Sequence, residues 1–144
     1  MGRKTYEIMF AMGDQNPLLN RPKHSIVVVS RSLDPAAHPA VTVMREGYIE
    51  YLRELRGMDG GRDVWVMGGG WLAAECLDAG LLDTVEAAIM PVVLKDGFKL
   101  CTPSSSPELE RTYKLVLRDL EKLPESGIIM TKYHVVYEEA TQHD

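Results

Sequence analysis

Three consecutive glycines, Gly68, Gly69 and Gly70, stand between a run that predicts a strand, DVWVM, and a run that predicts a helix, WLAAECLDAG. A helix that follows a strand in this way has unpaired N–H groups in its first turn, and these groups favour an anion such as a phosphate. Glycine lets the backbone approach a phosphate closely and adopt a positive φ. The triplet also suits a tight corner that binds nothing, and from these residues alone both interpretations stay open.

Two familiar phosphate-binding motifs do not match this stretch. MGGGWLAAE lacks the Lys-Ser/Thr pair of a P-loop. Residues 71–76 contain no further glycine that would complete a dinucleotide fingerprint of the Rossmann type. A phosphate site here would therefore belong to another family.

Two other stretches have groups suited to a phosphate. MGRKTYE places backbone N–H groups, two cations and a hydroxyl at the start of a predicted helix, through Gly2, Arg3, Lys4 and Thr5. VVVSRS ends a predicted buried strand with Ser30, Arg31 and Ser32. A guanidinium between two hydroxyls is well suited to a phosphate monoester, although a solvated loop has the same composition.

The composition predicts one globular domain over residues 1–144, with 45% hydrophobic and 26% charged residues. A net charge of -5 argues against nucleic-acid binding, which needs clustered Lys and Arg. No apolar run reaches membrane-spanning length, and the apolar stretch near the start of the sequence is too short for a signal peptide. We therefore expect a soluble cytoplasmic protein with a small-molecule substrate and no nucleic-acid or membrane partner.

Neither the cysteines nor the histidines indicate a metal site. Cys76 and Cys101 lack metal-ligand spacing and are expected to be reduced thiols. The histidines are scattered along the chain at His24, His38, His134 and His143.

The elements that must position these groups alternate between strand and helix. The predicted order is helix TYEIMFAM, strand HSIVVVS, strand AVTVM, helix GYIEYLRELRG, strand DVWVM, helix WLAAECLDAG, and strands TVEAAIMPVV, RTYKLVLRDLE and GIIMTKYHVVYEE. The last two strands predict an antiparallel pair after a mainly parallel arrangement. Trp65 and Trp71 are both predicted to lie in core positions. The expected fold is α/β, a mixed sheet flanked by helices.

In order and spacing, five motifs resemble the dihydrofolate reductase superfamily, and more closely its bacterial branch related to the C-terminal reductase domain of the riboflavin-synthesis deaminase/reductase. They are an MGRxTYE segment, a strand ending in Ser-Arg, a GGGxL turn, a GLxD strand entry and a PVxLGxG loop, at residues 1–7, 30–31, 68–72, 80–83 and 91–97. The resemblance implies a dihydrofolate reductase-like fold and an NADPH cofactor that touches all three stretches described above.

The resemblance also implies a role for each stretch. The cofactor phosphates would meet Gly2, Arg3, Lys4 and Thr5. The 2′-phosphate and adenine end would meet Ser30, Arg31 and Ser32. The pyrophosphate and nicotinamide side would meet Gly68, Gly69, Gly70, Trp71 and Leu72.

The family carries about one small helix and two strands before its MGRxTYE segment. In the family, this piece before MGRxTYE supplies a central strand, a substrate-covering loop and an acidic group credited with helping to protonate the substrate. We therefore expect an N-terminally incomplete domain that is a dimer or larger, with weak activity alone. No catalytic residue is identified: Asp83 is expected to be a turn residue, and Glu86 is the first acid to mutate.

The sequence therefore predicts an NADPH-dependent oxidoreductase that reduces a pterin-like or ribosylaminopyrimidine-like small molecule. Lys95 stands where the relatives often have glycine, and Ala87-Ala88 stand where true folate reductases have a hydroxyl near the pterin, which argues against folate itself. The alternative is a non-catalytic nucleotide-binding or self-associating domain that has lost the substrate side.

Overall fold

The computed structural model describes residues 1–102 and 112–137. In chain order the elements are α1 (Arg3–Ala11), β1 (Val27–Val29), β2 (Thr42–Met44), α2 (Tyr48–Gly57), α3 (Gly70–Asp78), β3 (Thr84–Ile89), β4 (Lys114–Lys122) and β5 (Ile129–Val136). Arg111 and residues 138–139, at the ends of two predicted strands, lie outside the described residues, as does His143. Within the described ranges, no helix is both long and apolar enough to cross a bilayer.

β1 and β2 form a parallel two-stranded sheet beside the main apolar core. Their register pairs Val27 with Thr42, and the central Val28 is completely buried. A β-branched run covered on both faces is typical of a parallel strand. The core consists of the buried side chains of Tyr6, Ile26, Val28, Leu33 and Val41. The predicted parallel strands and the predicted first helix are thus confirmed.

β3, β5 and β4 form a separate antiparallel sheet with β5 in the middle. Thr131 on β5 is buried, and its hydroxyl donates to the Ala87 carbonyl on β3 at 3.1 Å. The register of β4 shifts between Leu117 and Asp119, which makes Arg118 a bulge residue. The predicted antiparallel pairing of the two C-terminal strands is confirmed.

The predicted strand DVWVM is wrong. Residues 62–69, named the extended segment below, belong to neither sheet, since none of the described strands pairs with them. Without a neighbour, its apolar side chains are not covered: Val64 is 50% exposed and Trp65 is 78% exposed. The predicted core position of Trp65 is therefore wrong as well, and Trp71, at 40% exposure, also lies at the surface.

β3 is shorter than the predicted strand TVEAAIMPVV. It ends at Ile89, two residues before Pro91, which has no N–H to continue the ladder. The chain then continues as an apolar arm, residues 90–100, whose side chains face solvent. Val93 and Phe98 are almost fully exposed, at 98% and 103%.

One tyrosine ties the end of β5 to the loop after α3. The Tyr137 hydroxyl donates to the Leu82 carbonyl at 2.8 Å and accepts from the Leu82 N–H at 3.1 Å. Both groups belong to a loop that would otherwise need water to satisfy them. Tyr137 therefore fixes the chain that leads into β3.

We expect Tyr137→Phe to lower the free energy of unfolding by about 1 to 2 kcal/mol, because two half-buried backbone groups lose their partner while the ring stays. Urea unfolding measures this change. The matched control is Tyr133→Phe, since the Tyr133 hydroxyl has no hydrogen-bond partner in the part of the chain that the structure describes. Equal stability of the two variants would contradict a stabilising role for the hydrogen bonds between Tyr137 and Leu82.

Candidate functional site

The three glycines before α3 differ in what the structure requires of them. Gly68 has φ +80°, a conformation that other residues rarely adopt. A Cβ on Gly70 would lie 2.7 Å from the Lys99 carbonyl oxygen, so packing excludes a side chain there. Neither constraint applies to Gly69, where a Cβ would meet nothing within 4 Å. The peptide bond between Gly68 and Gly69 is cis.

The first turn of α3 has free N–H donors. Gly69 is the N-cap and its carbonyl accepts from Ala73, but no side chain caps the helix. The N–H groups of residues 70–72 have no hydrogen-bond partner among the described residues. A helix start with open donors attracts anions.

Gly2 brings the N-terminus of α1 to the same corner. Its N–H donates to the Gly68 carbonyl at 2.8 Å, and it forms a parallel bridge with Val29 at the end of β1. A Cβ on Gly2 would lie 3.5 Å from the Gly69 nitrogen, so the two backbones are in close contact. The starts of α1 and α3 and the end of β1 therefore meet at Gly2, as the three predicted stretches require.

An open pocket of about 390 Å³ lies beside this corner. Its lining residues are Arg3, Val29, Ser30, Arg31, Ser32, Arg45, Tyr48 and Trp71. The lining includes three guanidinium groups and no carboxylate among the described residues. The arrangement can bind a ligand of high negative charge density.

The hydroxyls of the pocket have different roles. The Ser30 hydroxyl accepts from the N–H groups of Ser32 and Leu33, at 3.2 and 3.0 Å, and shapes the turn after β1. The exposed Ser32 hydroxyl accepts from Arg3 Nη1 at 2.8 Å. Ser30 is thus a turn residue, whereas Ser32 and Arg3 present polar groups to the pocket.

The charges of the pocket are only weakly compensated. Arg3 has an exposed ion pair with Glu7, 3.5 Å between Nε and Oε1, and such pairs contribute little. In the described ranges, Arg31 and Arg45 form no ion pair with a carboxylate. Two guanidinium groups therefore remain available to an anionic ligand.

Other predicted site residues lie outside the pocket lining. Lys4 is exposed on α1, and neither it nor Thr5 lines the pocket. Leu72 is a buried residue of α3. The structure thus brings Arg3, Ser30, Arg31, Ser32 and Trp71 together in the pocket, places the glycines at its corner, and leaves Lys4, Thr5 and Leu72 away from its wall.

Sequence reasoning missed Arg45 and Tyr48. Arg45 follows β2 directly, as Ser30 follows β1, and the carboxyl ends of neighbouring parallel strands lie at the same edge of a sheet. Tyr48 begins α2, three residues later. The parallel pairing of the two strands was the available signal for both residues.

The candidate acids and the buried thiol do not contribute to the pocket. Glu86 pairs with Lys132 at 3.0 Å on the antiparallel sheet, and Asp83 pairs with Arg56. Neither carboxylate lines the pocket. Burial raises the pKa of the Cys76 thiol to about 11, which keeps it neutral and unreactive near pH 7.

We expect Gly70→Ala to lower the free energy of unfolding by about 1 to 3 kcal/mol, because its Cβ overpacks against the Lys99 carbonyl. Gly69→Ala is the matched control and should change stability by less than about 0.5 kcal/mol. Thermal melts of the two variants without ligand measure the difference. Equal destabilisation would mean that Gly69 has a structural constraint of its own.

Family and structure comparisons agree on one group of proteins. The model of the RibD C-terminal domain family matches residues 7–127 of this chain. No curated protein matches it significantly.

The solved structures similar to this chain include three from different organisms. A protein ascribed to riboflavin biosynthesis from Shewanella sp. PV-4 has a TM-score of 0.71 and 19% identity, over 95% of this chain and 72% of that one. A pyrimidine reductase-like protein from Corynebacterium diphtheriae has a TM-score of 0.56 and 16% identity, over 78% and 50%. RibD from Acinetobacter baumannii has a TM-score of 0.56 and 17% identity, over 85% and 34%.

At these identities the solved structures establish a shared fold, and the predicted dihydrofolate reductase-like α/β class is confirmed. The chain spans half the length of the second relative and 34% of the third.

Proposed function

Because the chain belongs to the RibD C-terminal domain family, we propose that it is a riboflavin-pathway type of reductase that uses NADPH. The cofactor would supply a hydride, and the substrate would be a small ribosylaminopyrimidine-like or pterin-like molecule. The protein's own contribution would be to bind and orient both molecules.

One observation carries the proposal: the wall of the pocket has three guanidinium groups, the exposed Ser32 hydroxyl and no carboxylate in the described part of the chain. A dianionic phosphate monoester such as the 2′-phosphate of NADPH fits this set, since guanidinium groups form paired, charge-assisted hydrogen bonds with phosphate oxygens. NADH has a neutral hydroxyl at that position and gains nothing from these charges.

The glycine corner would bind the pyrophosphate part of the cofactor. The pyrophosphate would meet the open N–H groups at the start of α3, next to the start of α1. Glycine at position 69 leaves this approach free, and the structure gives it no other packing reason. The residues proposed to hold the cofactor are therefore the pocket set together with Gly2, Gly68, Gly69 and Gly70.

The substrate proposal rests on the family and on one feature of β3. Ala87 and Ala88 offer small apolar side chains where a hydroxyl would serve a pterin, and the nearest buried hydroxyl, on Thr131, already donates to the Ala87 carbonyl. This favours a ribosylaminopyrimidine-like substrate. Loss of reduced-nicotinamide absorbance with each candidate substrate tests the reductase proposal.

The alternative function is a nucleotide-binding or self-associating domain without catalysis. It is favoured by the two candidate acids, Asp83 and Glu86, which pair with Arg56 and Lys132 and do not line the pocket. Cofactor binding at normal affinity with no turnover on any candidate substrate would support this alternative over the reductase.

We expect Arg31→Ala to weaken NADPH binding by about 1.5 to 3 kcal/mol, because a charge-assisted contact to the 2′-phosphate is lost. NADH binding should stay unchanged, so the preference between the cofactors should fall. Calorimetry with both cofactors measures this. Arg118→Ala is the matched control, since it removes the same charge from an exposed bulge on β4. An unchanged cofactor preference in Arg31→Ala would contradict the assignment.

We further propose that the chain is a dimer or larger in solution. The apolar arm exposes Val93 and Phe98, and the extended segment exposes Trp65. Large exposed apolar side chains of this kind are typical of protein contacts.

Sedimentation velocity should give a mass of at least two chains at micromolar concentration. Phe98→Ser should shift the population towards monomer, whereas Ile8→Ser, on the exposed face of α1, should not. A wild-type chain that sediments as a monomer with a cooperative melt would contradict self-association.

A further inference from the structure

Trp71 lies on the same wall of the pocket as the arginines. It is the second residue of α3, 40% of its surface is exposed, and it lines the pocket with Arg31, Arg45 and Tyr48. The sequence predicted a place for this residue on the pyrophosphate and nicotinamide side. Its position beside the strand-end arginines instead places an aromatic ring near the groups that suit a phosphate monoester.

The indole is held from one side by a second aromatic ring. The ring centroids of Tyr48 and Trp71 are 5.9 Å apart, with 60° between the ring planes. This edge-on contact is favourable and covers only part of the indole. The Tyr48 hydroxyl is directed at Glu75 Oε2, 3.5 Å away, and Glu75 lies one turn after Trp71 on α3. The Tyr48 side chain therefore extends from the start of α2 to α3, in a position that braces the indole.

A braced indole beside two uncompensated guanidinium groups has a specific chemical use. Planar nitrogen heterocycles stack on aromatic side chains, and nearby arginines add to this through their own flat, charged faces. A ligand that satisfies both the ring and the guanidinium groups is a nucleoside that carries a phosphate on its ribose. An inorganic anion would use only the guanidinium groups.

We propose that Trp71 is the platform on which the purine base of the cofactor stacks, with Tyr48 as its brace. This inference rests on the proposed function and refines it, because it makes the base, and not only the phosphate, a determinant of binding. Tyr48 acts through Trp71 and is a positioning residue.

The first test is calorimetry with 2′,5′-ADP, which carries the base and the 2′-phosphate but no nicotinamide. Trp71→Ala should weaken this binding by about 5- to 100-fold, as expected for the loss of one stacking contact. Trp71→Phe should recover most of the affinity, because a ring remains. Trp65→Ala is the matched control and should bind like the wild type, since Trp65 is exposed and does not line the pocket.

A second probe separates the base from the phosphate. Competition by inorganic pyrophosphate should be the same for the wild type and Trp71→Ala, because that anion has no ring to stack. If Trp71→Ala loses pyrophosphate and 2′,5′-ADP equally, the side chain has only a structural role and the platform is wrong.

Fluorescence keeps the proposal testable even if Trp71→Ala folds poorly. The chain has two tryptophans, so Trp65→Phe leaves Trp71 as the only one. Stacking of a purine should quench its emission, with saturation at the calorimetric affinity, whereas bound 2′,5′-ADP without quenching would overturn the platform.

The outcomes also separate this inference from the proposed function. Loss of 2′,5′-ADP binding in Arg31→Ala but not in Trp71→Ala would overturn the platform and leave the phosphate site standing. Failure of the wild type to bind 2′,5′-ADP would overturn both.

Discussion

The arrangement of the site depends on the backbone of one residue, Gly2. Its N–H donates to the Gly68 carbonyl, and it bridges to Val29, so it connects the glycine corner to the end of β1. A Cβ on Gly2 would lie in van der Waals contact with the Gly69 nitrogen, at 3.5 Å, so the two backbone segments are neighbours. Through these contacts the positive ends of two helix dipoles lie at one corner, which gives an acidic protein a local region that favours anions.

The elements of this region could be predicted because local and tertiary preferences agree. β1 is a β-branched run, and its central Val28 is completely buried. Where the strand ends, Arg31 and Ser32 are exposed, whereas the buried Ser30 stabilises the turn, so the residue types that suit phosphate also suit the turn. Arg45 could not be recognised from its own neighbours, since its place in the pocket follows from the pairing of β1 with β2. Such pairing is a long-range property.

The prediction of a strand over DVWVM is wrong for a different physical reason. Its pattern is that of a buried strand, but a strand exists only when a second backbone satisfies its N–H and C=O groups. No described strand does so, and Trp65 is left in solvent. The glycine triplet shows the converse. Its position was predictable, but the constraint on Gly68 is a backbone dihedral and the constraint on Gly70 is the distant Lys99 carbonyl.

The extended segment also bears on the cooperativity of unfolding. It lies in the chain between the two sheets and pairs with a strand of neither. Without hydrogen bonds to a neighbouring strand, its local opening should cost little free energy. The pocket draws its wall both from the chain before this segment, at Arg31 and Arg45, and from the chain after it, at Trp71. A ligand that contacts both parts would link their stabilities, and apo and ligand-bound protein would then differ in whether the two sheets unfold separately or together.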